Sequence, residues 1–347
     1  MDPASSKTYR EDTGRALASV VSLGTLKESS VLVTGATGTI GSFICDMLSF
    51  SGLGIQVYAL GRSRERLEEL FKGRASVNIS VQDLDDELSL PFKADYIIHA
   101  AGNAFPAAFK KDPAGTLISS VLGTKRLLDY ALGAGTKRFL YISSGEVYGS
   151  GLPRGEEFRE DMTGSLSSSD PRSSYPIGKI AAENLASSYT AMHNLETVSC
   201  RLCHTFGPVF SEKDNRAAAE FLSRASRKED LVLRSLGLPY RSWAYIADTA
   251  SAVLSVLTSG KSGEAYNIAN FSSRATIREF AETVAAEAGV RVFIEMEGAQ
   301  KVHDQVLCAE KLEALGWKGS YTLREGVRHA LSILQEAKEG EDGKAQA

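Results

Sequence analysis

The stretch Thr34-Gly35-Ala36-Thr37-Gly38-Thr39-Ile40-Gly41 constrains this chain more than any other. It follows a short β-branched apolar run over 30–34 and opens a segment of helical composition over 40–48. Glycines at G-x-x-G-x-x-G spacing permit a tight turn, close backbone approach to a pyrophosphate, and close helix–strand packing. The helix start adds unpaired N–H groups and the positive end of a dipole. No Gly-Lys-Ser/Thr follows, so the loop is not a mononucleotide P-loop. It reads as the opening unit of a dinucleotide-binding sheet. Gly35, Thr37, Gly38, Thr39, Ile40 and Gly41 are the candidate phosphate contacts.

The rest of the chain repeats that unit. Apolar runs over 56–60, 77–81, 95–100, 137–142 and 197–202 predict further strands. Helical segments over 64–72, 116–133 and 175–192 lie between them. The strands are continuous apolar runs rather than alternating ones, as strands buried on both faces of a parallel sheet are. This is an α/β chain with helices on both sides of a parallel sheet. After Pro208 the alternation loosens. A helix over 214–227, a strand over 231–233, a helix over 245–258, a strand over 265–268 and helices over 277–288 and 323–337 suggest a smaller, interleaved C-terminal lobe. The expected division is a lead-in over 1–28 holding a short helix, then a cofactor domain over 29–205 with 240–260. The lobe takes 206–239 and 261–337, and a frayed polar tail covers 338–347. A length of 347 residues suits about two domains.

The second test of a dinucleotide site is an acidic residue about 20 positions past the loop, on the adenine ribose. That place holds Gly61, followed by Arg62. An Arg there accommodates a 2′-phosphate, which leaves NADP as the alternative to NAD. Asp83, with Leu84 beside it, ends the third strand and is a candidate adenine contact. Ala100 and Ala101 end the fourth, in His99-Ala100-Ala101-Gly102.

Ser143-Ser144-Gly145-Glu146-Val147-Tyr148-Gly149 follows the fifth strand, and Tyr175-Pro176-Ile177-Gly178-Lys179 comes after a Ser-rich loop over 165–174. Positions i and i+4 share a helix face, so Tyr175 and Lys179 point the same way. A nearby ammonium lowers a phenol's pKa and makes it available as a base, while a serine hydroxyl shares the substrate oxygen. With the glycine loop, these residues resemble the extended short-chain dehydrogenase/reductase family that modifies nucleotide sugars. Arg201-Leu202-Cys203-His204-Thr205-Phe206-Gly207-Pro208, Arg241-Ser242-Trp243-Ala244-Tyr245-Ile246-Ala247-Asp248 and Leu312-Glu313-Ala314-Leu315-Gly316-Trp317 match in order. The resemblance covers about residues 28–335. It implies a Rossmann-type doubly wound domain, a small sugar-nucleotide lobe and often a homodimer. It also implies that Ser144, Tyr175 and Lys179 act on the sugar C4 hydroxyl beside the cofactor.

That family divides after C4 oxidation into epimerases, dehydratases and decarboxylases. Its dehydratases resemble Thr-Asp-Glu where this chain has Ser144-Gly145-Glu146, and its UDP-glucuronate decarboxylases resemble Thr/Ser-Ser-Glu. Gly145 cannot donate the dehydratase's proton, yet the carboxylate of Glu146 stays. Pro171-Arg172-Ser173-Ser174-Tyr175 resembles the decarboxylases' lead-in to the tyrosine. Asp214-Asn215-Arg216, with the later Arg241, resembles their nucleotide-binding segment, and the Arg aligned with Arg241 lies near the sugar. The expected substrate is therefore a UDP-linked uronic acid held by Ser144, Gly145, His204, Arg216 and Arg241. The rivals are a 4-epimerase, a 4,6-dehydratase and, more remotely, a non-catalytic dinucleotide sensor on the same fold. Ser120, His204, Cys308 and Gly61 depart from the family pattern.

Other classes are disfavoured. Lys+Arg number 39 against 43 Asp+Glu, a net charge of −4, which does not suit nucleic acid or an anionic membrane. No apolar run approaches the roughly 20 residues of a membrane span, and the N-terminus lacks a signal-peptide core. Four cysteines are too sparse for a disulfide framework, which suits a reducing cytoplasm. Cys200-Arg201-Leu202-Cys203 sits in a strand with its thiols on opposite faces, and the five His show no ligand spacing, so no metal site is expected.

Overall fold

The computed structural model describes residues 3–102, 104–149, 151–210, 214–296 and 303–345. Its strands are β1 (Ser30–Thr34), β2 (Gln56–Gly61), β3 (Val77–Val81), β4 (Tyr96–His99), β5 (Arg138–Ser144), β6 (Glu196–Leu202), β7 (His204–Phe206), β8 (Leu231–Leu233), β9 (Tyr240–Arg241), β10 (Trp243–Tyr245), β11 (Glu264–Ile268), β12 (Ala275–Thr276) and β13 (Val292–Ile294). The helices are α1 (Lys7–Ala18), α2 (Thr39–Phe50), α3 (Arg64–Phe71), α4 (Pro106–Lys111), α5 (Pro113–Ala134), α6 (Ser174–His193), α7 (Ala217–Ser226), α8 (Ile246–Ser259), α9 (Ile277–Ala288), α10 (Glu310–Glu313) and α11 (Leu323–Ala345).

Seven parallel strands form one sheet in the order β11-β6-β5-β4-β1-β2-β3. The order reverses between β1 and β4, and that switch point is where a doubly wound sheet opens its ligand crevice. β1 and β4 are buried along almost their whole length, because helices cover both faces. The helices stop and start where the sequence supplies caps. Asp112 accepts the Gly115 N–H at the start of α5, with Pro113 next, and Gly135 ends that helix in the left-handed region. Thr276 and Glu279 form a reciprocal capping box at the start of α9.

Three differences from the sequence reading are physical. First, β11, expected in the lobe, is the edge strand of the main sheet, paired with β6 from Glu264↔Val198 to Ile268↔Leu202. The α8 crossover returns the chain to that edge and packs on β5 and β6. Second, the N-terminal lead-in is part of the core. Tyr9, Ala16 and Leu26 are buried, and α1 packs on α2, α8 and α11. Third, α11 runs on to Ala345 where a frayed tail was expected. Glu336 on this helix accepts the Lys7 N–H at 2.9 Å and the Thr8 hydroxyl at 2.6 Å, and Lys338 donates to the Ser226 carbonyl at 2.8 Å. Residues 346 and 347 of that expected tail lie outside the described residues. The lobe itself is built from three two-stranded pairs, β7–β10, β8–β13 and β9–β12, whose strands, β8 apart, do not announce themselves by an apolar run of their own.

Candidate active site

A cleft of about 830 Å³ runs along the carboxyl ends of β1, β2 and β4. Gly35, Thr37, Gly38 and Thr39 line one wall. Gly35 has φ of +65°, and a Cβ there would lie 2.7 Å from the Ala101 nitrogen. At Gly41 a Cβ would lie 2.4 Å from the Gly35 carbonyl oxygen. Only glycine lets loop, helix and β4 approach this closely. Gly38 is the N-cap of α2 and offers no side-chain cap, so the first-turn N–H groups of Thr39, Ile40 and Gly41 stay available to an anion. The Thr39 hydroxyl donates to the Val209 carbonyl at 2.6 Å and ties the loop to the segment after β7. Arg62, Asp83, Leu84, Ala100 and Ala101 line the same cleft. Arg62 lies 3.8 Å from Asp83 at the exposed rim. Leu84 is buried against Gly123, and its carbonyl accepts Arg126 at 2.6 Å. The donor set and the glycine cradle fit a dinucleotide: the start of α2 would hold its pyrophosphate, and Arg62 and Asp83 at the rim would serve the adenosine.

Ser144, Tyr175 and Lys179 meet beside this cleft. β5 delivers Ser144 at its carboxyl end, and the first two turns of α6 deliver the other two. Lys179 is buried and donates to the Ile142 carbonyl at 2.8 Å; its Nζ is 5.8 Å from the Tyr175 ring centre. Burial pushes the Lys179 ammonium down to about 8. The phenol behaves differently from the sequence expectation. Burial, reinforced by the charge of Glu146, pushes Tyr175 up to about 12, while a Ser144 hydrogen bond and the charges of Arg216 and Arg172 pull it down. Lys179 shares the helix face as expected, but its charge goes chiefly to Ile142 and the Tyr141 ring, 4.7 Å away. His99 is buried, bonded to the Thr34 hydroxyl at 2.8 Å, and pushed down to about 3 by burial and then by Lys179, so it is a neutral structural group.

The remaining site residues converge from the turn after β5 and from the lobe. The Glu146 N–H donates to the Ser144 hydroxyl at 3.2 Å, and its carboxylate pairs with Arg172 at 2.8 Å. At Gly145 a Cβ would lie 3.1 Å from a Leu307 methyl and 3.3 Å from the Leu202 carbonyl oxygen. Arg241 on β9 donates to Gln305 at 3.1 Å, and Gln305 donates to the Gly145 carbonyl at 3.2 Å. Arg216 is held by Asp214 in a bidentate pair, at 2.9 and 2.6 Å, and lies 5.5 Å from the Phe105 ring. His204 is exposed at the start of β7, with its ring 5.2 Å from that of Trp243. Desolvation, then the charges of Arg241 and Arg216, pushes it down to about 3. Ser120 lines the cleft, but its hydroxyl is spent on the Thr116 carbonyl of its own helix at 2.9 Å.

Sequence reasoning did not single out Phe105, Phe109 or Gln305. Phe109 stacks on Tyr175 with ring centres 5.2 Å apart. Gln305 lies 160 residues from Gly145, and no local pattern marks it. Cys200 and Cys203 are free thiols raised by burial, which makes them inert. Among the described residues, no group of His, Cys, Asp and Glu is placed to hold a metal ion, and no helix is long and apolar enough to cross a membrane.

Comparison with known proteins agrees with this geometry. Residues 31–269 match the model of the NAD dependent epimerase/dehydratase family. The chain belongs to this family. Its cofactor is therefore NAD, and its members are enzymes. A relative 30% identical over 305 residues, 86% of this chain and 96% of that protein, is the low-salt glycan biosynthesis protein Agl12 of Haloferax volcanii. UDP-glucuronic acid decarboxylase 6 of Arabidopsis thaliana is 30% identical over 306 residues, 86% of each chain. Among solved structures, the UDP-glucose 4-epimerase of Thermus thermophilus in complex with NAD superposes with a TM-score of 0.75 at 26% identity, covering 89% of this chain and 99% of the other.

Proposed function

We propose that the chain decarboxylates a UDP-linked uronic acid through transient oxidation at C4. The observation that carries this reading is the turn after β5. It sets Ser144 and Glu146 beside Tyr175, while Gly145, tightly packed against Leu307 and the Leu202 carbonyl, has no side chain to serve as a dehydratase's acid. The similarity to UDP-glucuronic acid decarboxylases supports it.

The glycine loop and the start of α2 would hold NAD, which would supply hydride-transfer chemistry at C4. Tyr175 takes the proton of the C4 hydroxyl, with Ser144 hydrogen-bonded to it, and Lys179 holds positive charge beneath the pair. The C4 ketone then acts as the electron sink. The C5–C6 bond breaks, its electron pair moves through C5 onto the C4 oxygen, and CO2 leaves. A proton adds at C5, and reduction at C4 with return of the Tyr175 proton gives the UDP-pentose. Glu146 and Arg241 govern this second stage, and Arg216 and His204 hold the nucleotide sugar. The four free thiols suit a reducing cytoplasm. Ile118 and Leu122 on α5 and Ile180 on α6 are exposed apolar residues on two helices packed together, which supports a homodimer through that pair.

The test is product analysis. Given UDP-glucuronate, the purified protein should release CO2 and form a UDP-pentose. UDP-galacturonate as the sole product would replace this reading with a 4-epimerase.

A further inference from the structure

Three arginines, Arg172, Arg216 and Arg241, face the proposed sugar site, and they are engaged differently. Arg216 gives two of its five N–H donors to Asp214, whose carboxylate is fully buried and so cannot be exchanged for a ligand's. Arg241 is tied to the neutral amide of Gln305. Arg172 is paired with Glu146, which belongs to the site itself. Both members of that pair keep solvent access, with 42% of the Arg172 side chain and 34% of Glu146 exposed. The pair is also held in place. Arg172 sits in a single turn, Pro171–Ser173, immediately before α6, with its N–H on Asp170 at 2.9 Å. Its guanidinium lies 4.5 Å from the Phe109 ring centre, and Phe109 stacks on Tyr175.

This placement has a chemical consequence. In a uronate the C6 carboxylate is one carbon removed from C4, so its receptor must lie beside the group that handles the C4 hydroxyl. The charges that act on Tyr175 are those of Glu146, Arg216 and Arg172. With Arg216 committed to Asp214, Arg172 is the cation beside the phenol whose carboxylate partner can be exchanged. We infer that Glu146 stands in for the substrate's carboxylate in the free enzyme, and that Arg172 is the uronate-recognition residue, trading Glu146 for the C6 carboxylate on binding. A planar guanidinium donates its N–H groups to either carboxylate, and Arg172 gives one such bond to Glu146.

The exchange resolves a conflict in the chemistry. A cation fixed on the C6 carboxylate would stabilise the ground state and oppose loss of CO2, because the charge it grips disappears as the C5–C6 bond breaks. Glu146 waits beside the same guanidinium. As negative charge leaves C6 for the C4 oxygen, Arg172 returns to Glu146, so the pair re-forms along the reaction coordinate. No oxidant or extra group is required; one ion pair replaces another.

The inference rests on the decarboxylase reading, yet it can fail separately. Affinities of UDP-glucuronate and UDP-glucose are measured by calorimetry on the NAD-loaded full chain, for the wild type, Arg172→Met, Glu146→Gln and the double variant. Arg172→Met should weaken UDP-glucuronate by up to about fivefold, the upper range of one accessible ion pair, and leave UDP-glucose within about twofold. Glu146→Gln removes the internal competitor. It should tighten UDP-glucuronate several-fold, leave UDP-glucose unchanged and lower kcat. In the double variant the gain from Glu146→Gln should vanish. Equal losses for both nucleotides in Arg172→Met, or a gain that persists in the double variant, overturn the exchange. The Glu146→Gln arm stands even if Arg172→Met folds poorly. CO2 release by a wild type whose Arg172→Met variant still prefers the uronate sinks the exchange alone. Selective, Arg172-dependent binding without CO2 release sinks the decarboxylase reading alone.

Discussion

At the scale of single residues, the site turns on how Tyr175 is tuned. Burial and Glu146 push the phenol up to about 12, and Ser144 is the first group pulling it back. Activity that depends on the phenolate therefore rises with pH across the neutral range. Ser144→Ala removes a stabiliser of the phenolate, so the rising limb of log kcat/KM against pH should move to higher pH. A limb that stays in place would show that Ser144 is not the phenol's partner. Glu146→Gln acts in the opposite sense, because it removes a negative charge from beside the phenolate, and the limb should move down. Tyr175→Phe should lower kcat by roughly 10² to 10⁴ while NAD affinity, read by fluorescence quenching, stays within about twofold. The same scale shows where sequence reasoning reaches its limit. Tyr175 and Lys179 share a face because a helix repeats every i+4, which spacing alone reveals. The direction in which Tyr175 titrates depends on burial and on charges supplied by Glu146, Arg172 and Arg216, which no spacing reports.

At the scale of elements, the N-terminal helix behaves as a clasp. Asp12 on α1 is fully buried and accepts three bonds from distant parts of the chain: Tyr245 at 2.6 Å, Tyr321 at 2.7 Å and His329 of α11 at 2.7 Å. The Asp12 carboxylate raises the His329 pKa, its hydrogen bond leading and burial opposing. For a histidine raised on folding, the pairing contributes stability fully below its unfolded value of about 6.5. That contribution is lost as pH rises through the higher folded value. Thermal unfolding of the wild type should therefore lose stability across this window, and His329→Gln should flatten the curve there. An unchanged slope in His329→Gln would exclude the pair as its source. Asp12→Ala leaves two buried tyrosine hydroxyls without an acceptor and should cost about 3 kcal/mol in denaturant unfolding. Elements that carry an apolar run or a helical period of their own were legible in advance: β1, β3, β8 and α9 have the bounds that their sequences suggest. The two-residue strands β9 and β12 were not, since an isolated pair of residues carries no period; register with a partner defines them.

At the scale of the whole molecule, the sheet and the lobe meet at the site through a relay. Arg241 on β9 bonds Gln305, and Gln305 bonds the Gly145 carbonyl in the turn that carries Ser144 and Glu146. The cofactor half of the crevice was readable because one glycine loop encodes it locally. The proposed sugar side was readable only in part, because its walls come from segments 64 to 160 residues apart that meet only in the folded chain. Assembly poses the last question at this scale. α5 and α6 pack against each other on the flank of the sheet, yet Ile118 is 54% exposed, and Leu122 and Ile180 are 41% exposed. Water contact over large aliphatic side chains on adjoining helices is unfavourable by about 25 cal/mol per Å², so a second copy covering them gains that energy twice in a two-fold interface. α6 also carries Tyr175 and Lys179, so a dimer contact on that helix would bear on the geometry of the proposed base. Light scattering should give twice the chain mass for the wild type, and a single-chain mass would refute the dimer. Ile118→Glu with Ile180→Glu should give the monomer. If α6 draws its order from that contact, the monomer should lose kcat by more than it loses NAD affinity; equal losses would place the interface's role in folding rather than in holding Tyr175.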